Sequence, residues 1–580
     1  MWIVLAVLSA AIGPHPPHHG SGLVAVPGGA LYYQFEGAGP AVVFLHDGLL
    51  DQTTWDHQIP AFARFFRTVR YDRRGFGRSK TTATEFSDLD DLTAVLDSLA
   101  ISRAILVGCS SGGGLALDFA LAHPERVTSL VLVGPVVSGF GYTEHFRRRG
   151  YRNHRGLFER SDTAAAIDAW ATDPWLTLPG NIAARRFLRA GLTRHPASLS
   201  WGGPSSRPPP REAIGHLGEV RVPVLLVVGE GDIPDVHAHV GVIAAGIPGA
   251  EREVIGGAGH LAHIERPAIF NRRVLAFLRP AEEARDWVRV AVNQGLAARG
   301  AALLGYDPSA PLGIRESATE TRGSVRVTDL TYQSPKGGPV PAYLVEPGTS
   351  GPHPGVVWVH HGQGDRKTFL EEAIKLAGRG AVSLLIDAPD VRPSASVPGR
   401  RPWDRVVDLR ERIQGVVDVR RAFDLLVARP GVDSSRLAYV GYSLGATIGA
   451  TLVGVESRPR GFVLMAGFPA LTHVYGAEHH TRTSMAFQSL LPPADQLAWL
   501  RAMAPIDGVH QLGRSRAAFL LQFANRDEYV SRFDAEVFGA AVNGPGETQW
   551  YDTDHFGLGA VSETARTDWL IRLLGLAPRS

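Results

Sequence analysis

Short apolar runs bounded by Gly, Pro or Asp alternate with helix-period stretches along most of the chain. The pattern comes in two blocks. The first opens near Leu23 with "GLVAVPGGALYYQFEG", which reads as a hairpin, and continues through "AVVFLHDG" (41–48), "FRTVRYDRRGFGRS" (66–79), "RAILVG" (103–108), "VTSLVLVGP" (127–135), "VPVLLVVGEGD" (222–232) and "EREVIGGAGH" (251–260). The second runs from "SVRVTDLTYQS" and "VPAYLVEP" through "GVVWVHHGQGD" (355–365), "AVSLLIDAPD" (381–390), "LAYVG" (437–441), "GFVLMAG" (461–467), "AAFLLQFANRD" (517–527) and "TQWYDTDH" (548–555). Uninterrupted aliphatic runs of this length mark strands buried on both faces, as in parallel sheets with helices on either side. The fold expected is α/β, with two tandem doubly wound, mostly parallel sheets.

Element-by-element agreement between the blocks sets the expected boundaries: residues 23–280 for the first domain, 281–316 for a helical linker and 317–580 for the second. The linker rests on "PAEEARDWVRVAVNQGLAARGAALLG" (280–305), which reads as one amphipathic helix; a pre-strand helix of the second domain is the alternative. Residues 1–22 form a tail. Its "MWIVLAVLSAAIG" has the apolar length of a signal segment, with Ser9 to Ala11 as a small-residue cleavage site, but no Lys or Arg precedes it. The run is too short to span a bilayer. A cytoplasmic protein is expected, with secretion the alternative if residues 1–11 act as a signal.

Two of the strand ends break into a small polar cluster and resume as a helix: "LVGCSSGGGLALDF" (106–119) and "YVGYSLGATIGATL" (439–452). With 65 Gly and 33 Ser in 580 residues, chance supplies roughly 0.4 matches to a bare GxSxG, so the flanking strand and helix carry the information. A strand that reverses sharply into a helix strains one residue and tolerates only small neighbours. Ser110 and Ser443 are therefore expected at the tips of nucleophile elbows, against the alternative of serines that only cap a helix. Ser111 is the weaker choice, because Cys109 occupies the place two before it where glycine is wanted.

A serine hydroxyl attacks only when a base removes its proton, and a carboxylate must hold that base in the right tautomer. On an α/β sheet these partners follow in the order Ser, acid, His at later strand ends. "VVGEGD" supplies Asp232 and "GGAGH" supplies His260; "QFANRD" supplies Asp527 and "YDTDH" supplies His555. Acid and histidine are 28 residues apart in both blocks, from 232 to 260 and from 527 to 555. Asp235 competes with Asp232, and Glu528, Asp552 and Asp554 lie near the second pair. Two backbone amides should hold the oxyanion. One is that of Ser111 or Leu444; the other comes from "HDGLL", at Gly48 or Asp47, and from "HHGQG", at Gln363. His46, His360 and His361 are expected to support that loop.

Composition narrows the classes. A net charge of +2 excludes a dominant nucleic-acid role, and 44% hydrophobic with 20% charged residues describes a globular chain. Only four lysines stand among 59 basic residues. The single cysteine, Cys109, excludes an internal disulfide and a cysteine-rich metal site. No cofactor is expected and no metal; His479 and His480 lack spaced Cys or carboxylate partners. Small-molecule esters or lactones are the expected partners, with the oligomeric state open.

Both halves resemble the α/β-hydrolase superfamily. The first, through "FLHDGLLDQTTWDHQ", "VRYDRRGFGRS", "GCSSGGGLALDFALAHPERV" and "GAGHLAHIERP", is similar to the enol-lactonase and epoxide-hydrolase-like branch. Ser110 stands where epoxide hydrolases and haloalkane dehalogenases carry aspartate, which disfavours those chemistries. The second half, through "LVEPGTSGPHPGVVWVHHGQGD" and "DVRRAFDLLVARPGVDSSRLAYVGYSLGA", is similar to the dienelactone-hydrolase and acetyl-esterase or peptidase-like branch, with Ser443 in place of the dienelactone hydrolase cysteine. The resemblance implies a tandem serine hydrolase cleaving carboxylic esters or lactones. Two alternatives stand: one catalytic domain joined to a hydrolase-like binding or docking domain, and acyl transfer in place of hydrolysis.

Serine and acid are 122 residues apart in the first block and 84 in the second, so the extra chain falls mostly between 135 and 220, the expected helical cap. It carries Trp170, Trp175, Trp201 and the basic stretch "HFRRRGYRNHRGLFER", expected as a solvated helix face. In the second domain "VRPSASVPGRRPWDR" and "GAEHHTRTSMAFQSLLPPADQ" are the expected pocket-rim loops.

Overall fold

A computed structural model describes residues 19–82, 85–149, 155–199, 205–392, 408–475 and 493–576. The chain divides into two compact units, Met1–Leu278 and Arg279–Ser580.

In the first unit the strands are β1 (His19–Val26), β2 (Gly29–Glu36), β3 (Ala41–Leu45), β4 (Arg67–Tyr71), β5 (Ala104–Cys109), β6 (Val127–Val133), β7 (Val224–Gly229) and β8 (Glu251–Ile255). They lie in the order β1-β2-β4-β3-β5-β6-β7-β8, and the two-residue strand Lys80–Thr81 pairs with β2. The β1–β2 hairpin is antiparallel and turns at Pro27 and Gly28; from β4 to β8 every pairing is parallel. Residues 19–22, expected in the tail, begin β1. The aliphatic strands β3, β5 and β7 are buried on both faces, as their unbroken runs require.

Helix α1 (Asp88–Ser98) starts where Ser87 accepts the Asp90 amide and three aspartates occupy the first turn, against the positive end of the helix dipole. Helix α2 (Ser111–Ala122) follows β5. Between β6 and β7, in the segment expected as a cap, the longer helices are α3 (Thr163–Thr172) and α4 (Ile182–Arg194).

The second unit repeats the plan, again with nine strands, all on one path. Its strands are β9 (Arg315–Arg322), β10 (Val325–Gln333), β11 (Pro339–Pro347), β12 (His353–Val359), β13 (Val382–Ile386), β14 (Val432–Tyr442), β15 (Pro459–Met465), β16 (Ala518–Ala524) and β17 (Gly546–Tyr551). They run in the order β9-β10-β11-β13-β12-β14-β15-β16-β17. The outermost strand β9, "RESATETR", is exposed throughout, and its charges discourage edge pairing with another chain.

Residues 280–305 form two helices where one was expected: α5 (Pro280–Ala291) and α6 (Gln294–Leu303). The break falls at Asn293, whose side chain accepts the Leu296 amide at 3.0 Å and starts a new helix. Neither helix is a free linker. Ala284 and Leu304 belong to the second unit's core, and Gln511 donates to the Ala297 carbonyl at 3.0 Å. Both expected rim loops fall largely outside the described residues, as do Trp201, His479 and His480. No helix among the described residues is long and apolar enough to cross a membrane.

Candidate active sites

Both serines sit in a backbone conformation that L residues rarely adopt, with φ 54° and ψ −117° at Ser110 and φ 51° and ψ −103° at Ser443. Holding a non-glycine residue there costs on the order of 1–3 kcal/mol. The flanking glycines explain how the chain accommodates it. A Cβ on Gly112 would lie 2.4 Å from the Leu45 and His46 carbonyl oxygens, and one on Gly445 would lie 2.3 Å from the Val359 oxygen. Neither serine side chain caps the helix that follows. The plain helix-cap alternative therefore fails in both units.

In the second unit His555 Nε2 lies 3.0 Å from Ser443 Oγ, and His555 Nδ1 lies 2.8 and 2.9 Å from the two Asp527 carboxylate oxygens. Asp527 Oδ1 also accepts the Tyr529 and Val530 amides, both at 2.9 Å, which fixes the carboxylate. The hydroxyl of Tyr442, inside the elbow, donates to the His555 carbonyl. Asp552 instead pairs with Arg526, and Asp554 accepts the Gly557 amide.

In the first unit His260 Nδ1 lies 2.9 Å from Asp232 Oδ1, which also accepts the Ile233 amide at 2.6 Å. No hydrogen bond joins Ser110 Oγ to His260 among the described residues. Their sharing of a strand-end cluster shows at Gly134, next to β6. A Cβ there would lie 2.9 Å from His260 Nδ1, while the amide of Ser110 donates to the adjoining Val133 carbonyl at 2.8 Å. Burial pulls the His260 pKa down, but the charge and hydrogen bond of Asp232, with Asp47 behind, outweigh it and leave the imidazole above its ordinary value. Asp235 is engaged elsewhere, accepting the Thr143 amide and hydroxyl at 2.6 and 2.8 Å.

The loop after β3 approaches the elbow: a Cβ on Gly48 would lie 3.4 Å from Ser111 Oγ. In the second unit a Cβ on Gly362 would lie 4.0 Å from Leu444 Cβ, but the neighbouring Gln363 amide rests on His361 Nδ1 at 3.3 Å. Asp47 Oδ1 forms a turn by accepting the Leu49 and Leu50 amides at 2.7 and 2.9 Å.

The two early histidines do one job in both units. His46 Nδ1 donates to the Asp47 carbonyl at 2.7 Å, while its Nε2 accepts the Arg73 amide at 2.9 Å. His360 Nδ1 donates to the His361 carbonyl at 2.6 Å and its Nε2 accepts the Ala388 amide at 2.9 Å. Each pins its loop to the end of the next strand. Burial, with the Arg73 charge, lowers the His46 pKa, and burial, with His360 beside it, lowers that of His361 to about 4, so neither carries charge at neutral pH.

Two contributors escaped the sequence reading. Arg73 Nη1 donates to Ser111 Oγ at 2.9 Å and Nη2 to Asp88 at 3.1 Å, tying the elbow to α1. Glu265 accepts the amides of Gly259 and Leu178, joining the His260 loop to the cap. Within the cap, the Trp175 carbonyl accepts the His260 amide at 2.8 Å. Arg149, expected on a solvated face, is instead buried and paired with Asp173 at 2.7 Å.

Residues 40–267 match the alpha/beta hydrolase fold family. Over 254 residues the chain is 28% identical to "Uncharacterized carboxylesterase nap" of Bacillus subtilis, covering 41% of this chain and 79% of that one. It is 32% identical over 274 residues to the 2-hydroxy-6-oxononadienedioate/2-hydroxy-6-oxononatrienedioate hydrolase of Paraburkholderia phymatum, covering 43% and 90% respectively. Among solved structures, naproxen esterase of Bacillus subtilis aligns with a TM-score of 0.38 at 26% identity over 46% of this chain and 93% of that one. Sheet order and elbow define the class of protein. The chain belongs to the α/β-hydrolase fold family.

Proposed function

We propose that the chain is a tandem serine hydrolase that cleaves carboxylic esters, lactones included, with one Ser–His–Asp set in each unit. The observation that carries the reading is the continuous path from Ser443 Oγ through His555 to Asp527, at 3.0 and 2.8 Å. The strained elbow at Ser110 and the 2.9 Å contact between His260 and Asp232 support the same reading of the first unit. Curated relatives of the first half include "Carboxylesterase YbfK" of Bacillus subtilis, 27% identical over 249 residues, which supports an ester as substrate.

In this reading the histidine takes the serine proton as Oγ attacks the ester carbonyl, and the aspartate holds the imidazole with Nδ1–H toward itself and Nε2 toward the serine. Negative charge then develops on the former carbonyl oxygen. In this reading the amides of Ser111 and Gly48 receive it in the first unit, and those of Leu444 and Gln363, the latter once it leaves His361, in the second. As the alcohol departs, the imidazolium returns the proton to it, leaving an acyl-serine. Water activated by the same imidazole releases the acid and restores the hydroxyl.

Ester hydrolysis by Ser110→Ala, Ser443→Ala and the double variant tests the reading. Each single variant keeps the other site's turnover and the double variant loses both. Undiminished turnover in the double variant rejects it.

A further inference from the structure

In each unit the loop after β3 or β12 has to be held against the helix start that follows the serine. The two units do this differently. In the second, the Gly445 amide donates directly to the His360 carbonyl at 3.1 Å. In the first, no backbone hydrogen bond joins Gly112 to His46 among the described residues. The His46 carbonyl is instead reached by Arg73 Nη1 at 3.4 Å, and the same nitrogen donates to Ser111 Oγ at 2.9 Å. One guanidinium thus bridges two pieces of chain that the other unit joins through its backbone.

The surroundings of Arg73 fix it in that place. The residue is buried, its amide donates to His46 Nε2 at 2.9 Å, and its Nη2 donates to Asp88 at 3.1 Å. Four groups from β3, its loop and two helices therefore set one planar side chain, and a rigid fork of donors suits such a clamp better than a flexible ammonium. In the second unit the residue whose amide donates to His360 Nε2 is Ala388, and the residue after the nucleophile is Leu444. The guanidinium and the hydroxyl that receives it occur together in one unit, and both are missing from the matching positions of the other.

We propose that Arg73 is a positioning residue of the Ser110 site, clamping the loop that carries Gly48 to the elbow and so setting the spacing of the Gly48 and Ser111 amides. This rests on the reading of Ser110 as the nucleophile and of those two amides as the oxyanion donors. Negative charge reaches the oxyanion only in the transition state, so a loosened clamp lowers kcat and leaves KM nearly unchanged.

The test uses the full chain carrying Ser443→Ala, with p-nitrophenyl acetate as substrate. An alkyl trifluoromethyl ketone serves as inhibitor, because its adduct with a serine carries an oxyanion. Arg73→Met should lower kcat by about 30-fold, change KM by less than about threefold, and weaken the inhibitor by the same factor as kcat/KM. Ser111→Ala keeps the Ser111 amide and the Arg73–Asp88 pair and removes only the acceptor on the elbow, so it should show the same pattern at about tenfold and carries the test if Arg73→Met does not fold. The two substitutions together should cost less than the product of their separate effects, since they break one clamp.

Losses confined to KM, an inhibitor bound as tightly as before, or fully multiplicative losses in the double variant each overturn the inference. Ser110-dependent acetate turnover that is indifferent to both substitutions sinks the inference alone. Absence of any Ser110-dependent turnover in the parent protein sinks the underlying reading with it.

Discussion

Ser443 Oγ and His555 Nε2 stand at hydrogen-bonding distance, 3.0 Å, with both Asp527 oxygens behind the imidazole. The second unit therefore holds the tautomer its proposed chemistry needs before any substrate arrives. In a Ser110→Ala background, Asp527→Asn should lower kcat by ~10⁴-fold with KM little changed, since the geometry survives while the tautomer reverses. Steady-state ester hydrolysis measures it, and a loss below tenfold contradicts the assignment.

The first unit should show its own pH signature. His260 must be neutral to accept the serine proton, and Asp232 holds its pKa above the ordinary 6.5 against the opposing effect of burial. Activity at Ser110 is then lost as pH falls through that raised value, giving an acid limb above 6.5 in the Ser443→Ala protein. A kcat/KM profile whose acid limb lies below 6.5 contradicts it.

Corresponding positions after β6 and β15 are occupied differently. Gly134 and Ala466 both have positive φ, 48° and 44°, and donate their amides to the next strand, to Val227 and Gln522. Gly134→Ala places a methyl 2.9 Å from His260 Nδ1, so Ser110-dependent turnover should fall by at least tenfold. Ala466→Gly relieves a left-handed alanine and should raise stability by up to about 1 kcal/mol, with Ser443-dependent turnover retained. Thermal melts and ester assays on the two variants check both directions.

How much of this was legible in the sequence follows from what each feature depends on. The positions of the strands along the chain, the elbows and the acid-to-histidine spacing are local patterns of apolar runs punctuated by Gly, Ser, Asp and His, and they were readable; the order of the strands within each sheet was not, because it is set by pairing between distant segments. The supporting role of His46 and His360 was readable as well, because a histidine ending a buried strand has a loop to hold. Arg73 was not, since it acquires meaning from partners on other elements, Ser111 and Asp88. The break between α5 and α6 was missed because apolar periodicity continues across it while the capping of Asn293 interrupts the backbone.

Asp507 offers a stability test away from either nucleophile. It caps the start of helix Leu471–Tyr475, accepting the Leu471 amide at 2.8 Å, and burial raises its pKa to about 7 from 3.8. The folded state thus holds this proton more tightly than the unfolded state. Stability from this group is greatest below about 4, declines as pH rises to about 7, and is level above that. Asp507→Asn keeps an acceptor for the cap and should flatten that decline. Unfolding midpoints across this range decide, and an unchanged slope contradicts the assignment.

The most direct measurement is the intact mass of the full chain after exhaustive treatment with a fluorophosphonate. The account predicts two adducts, falling to one in either Ser110→Ala or Ser443→Ala and to none in the double variant. A chain that takes up no adduct, or a double variant that still takes up two, contradicts it.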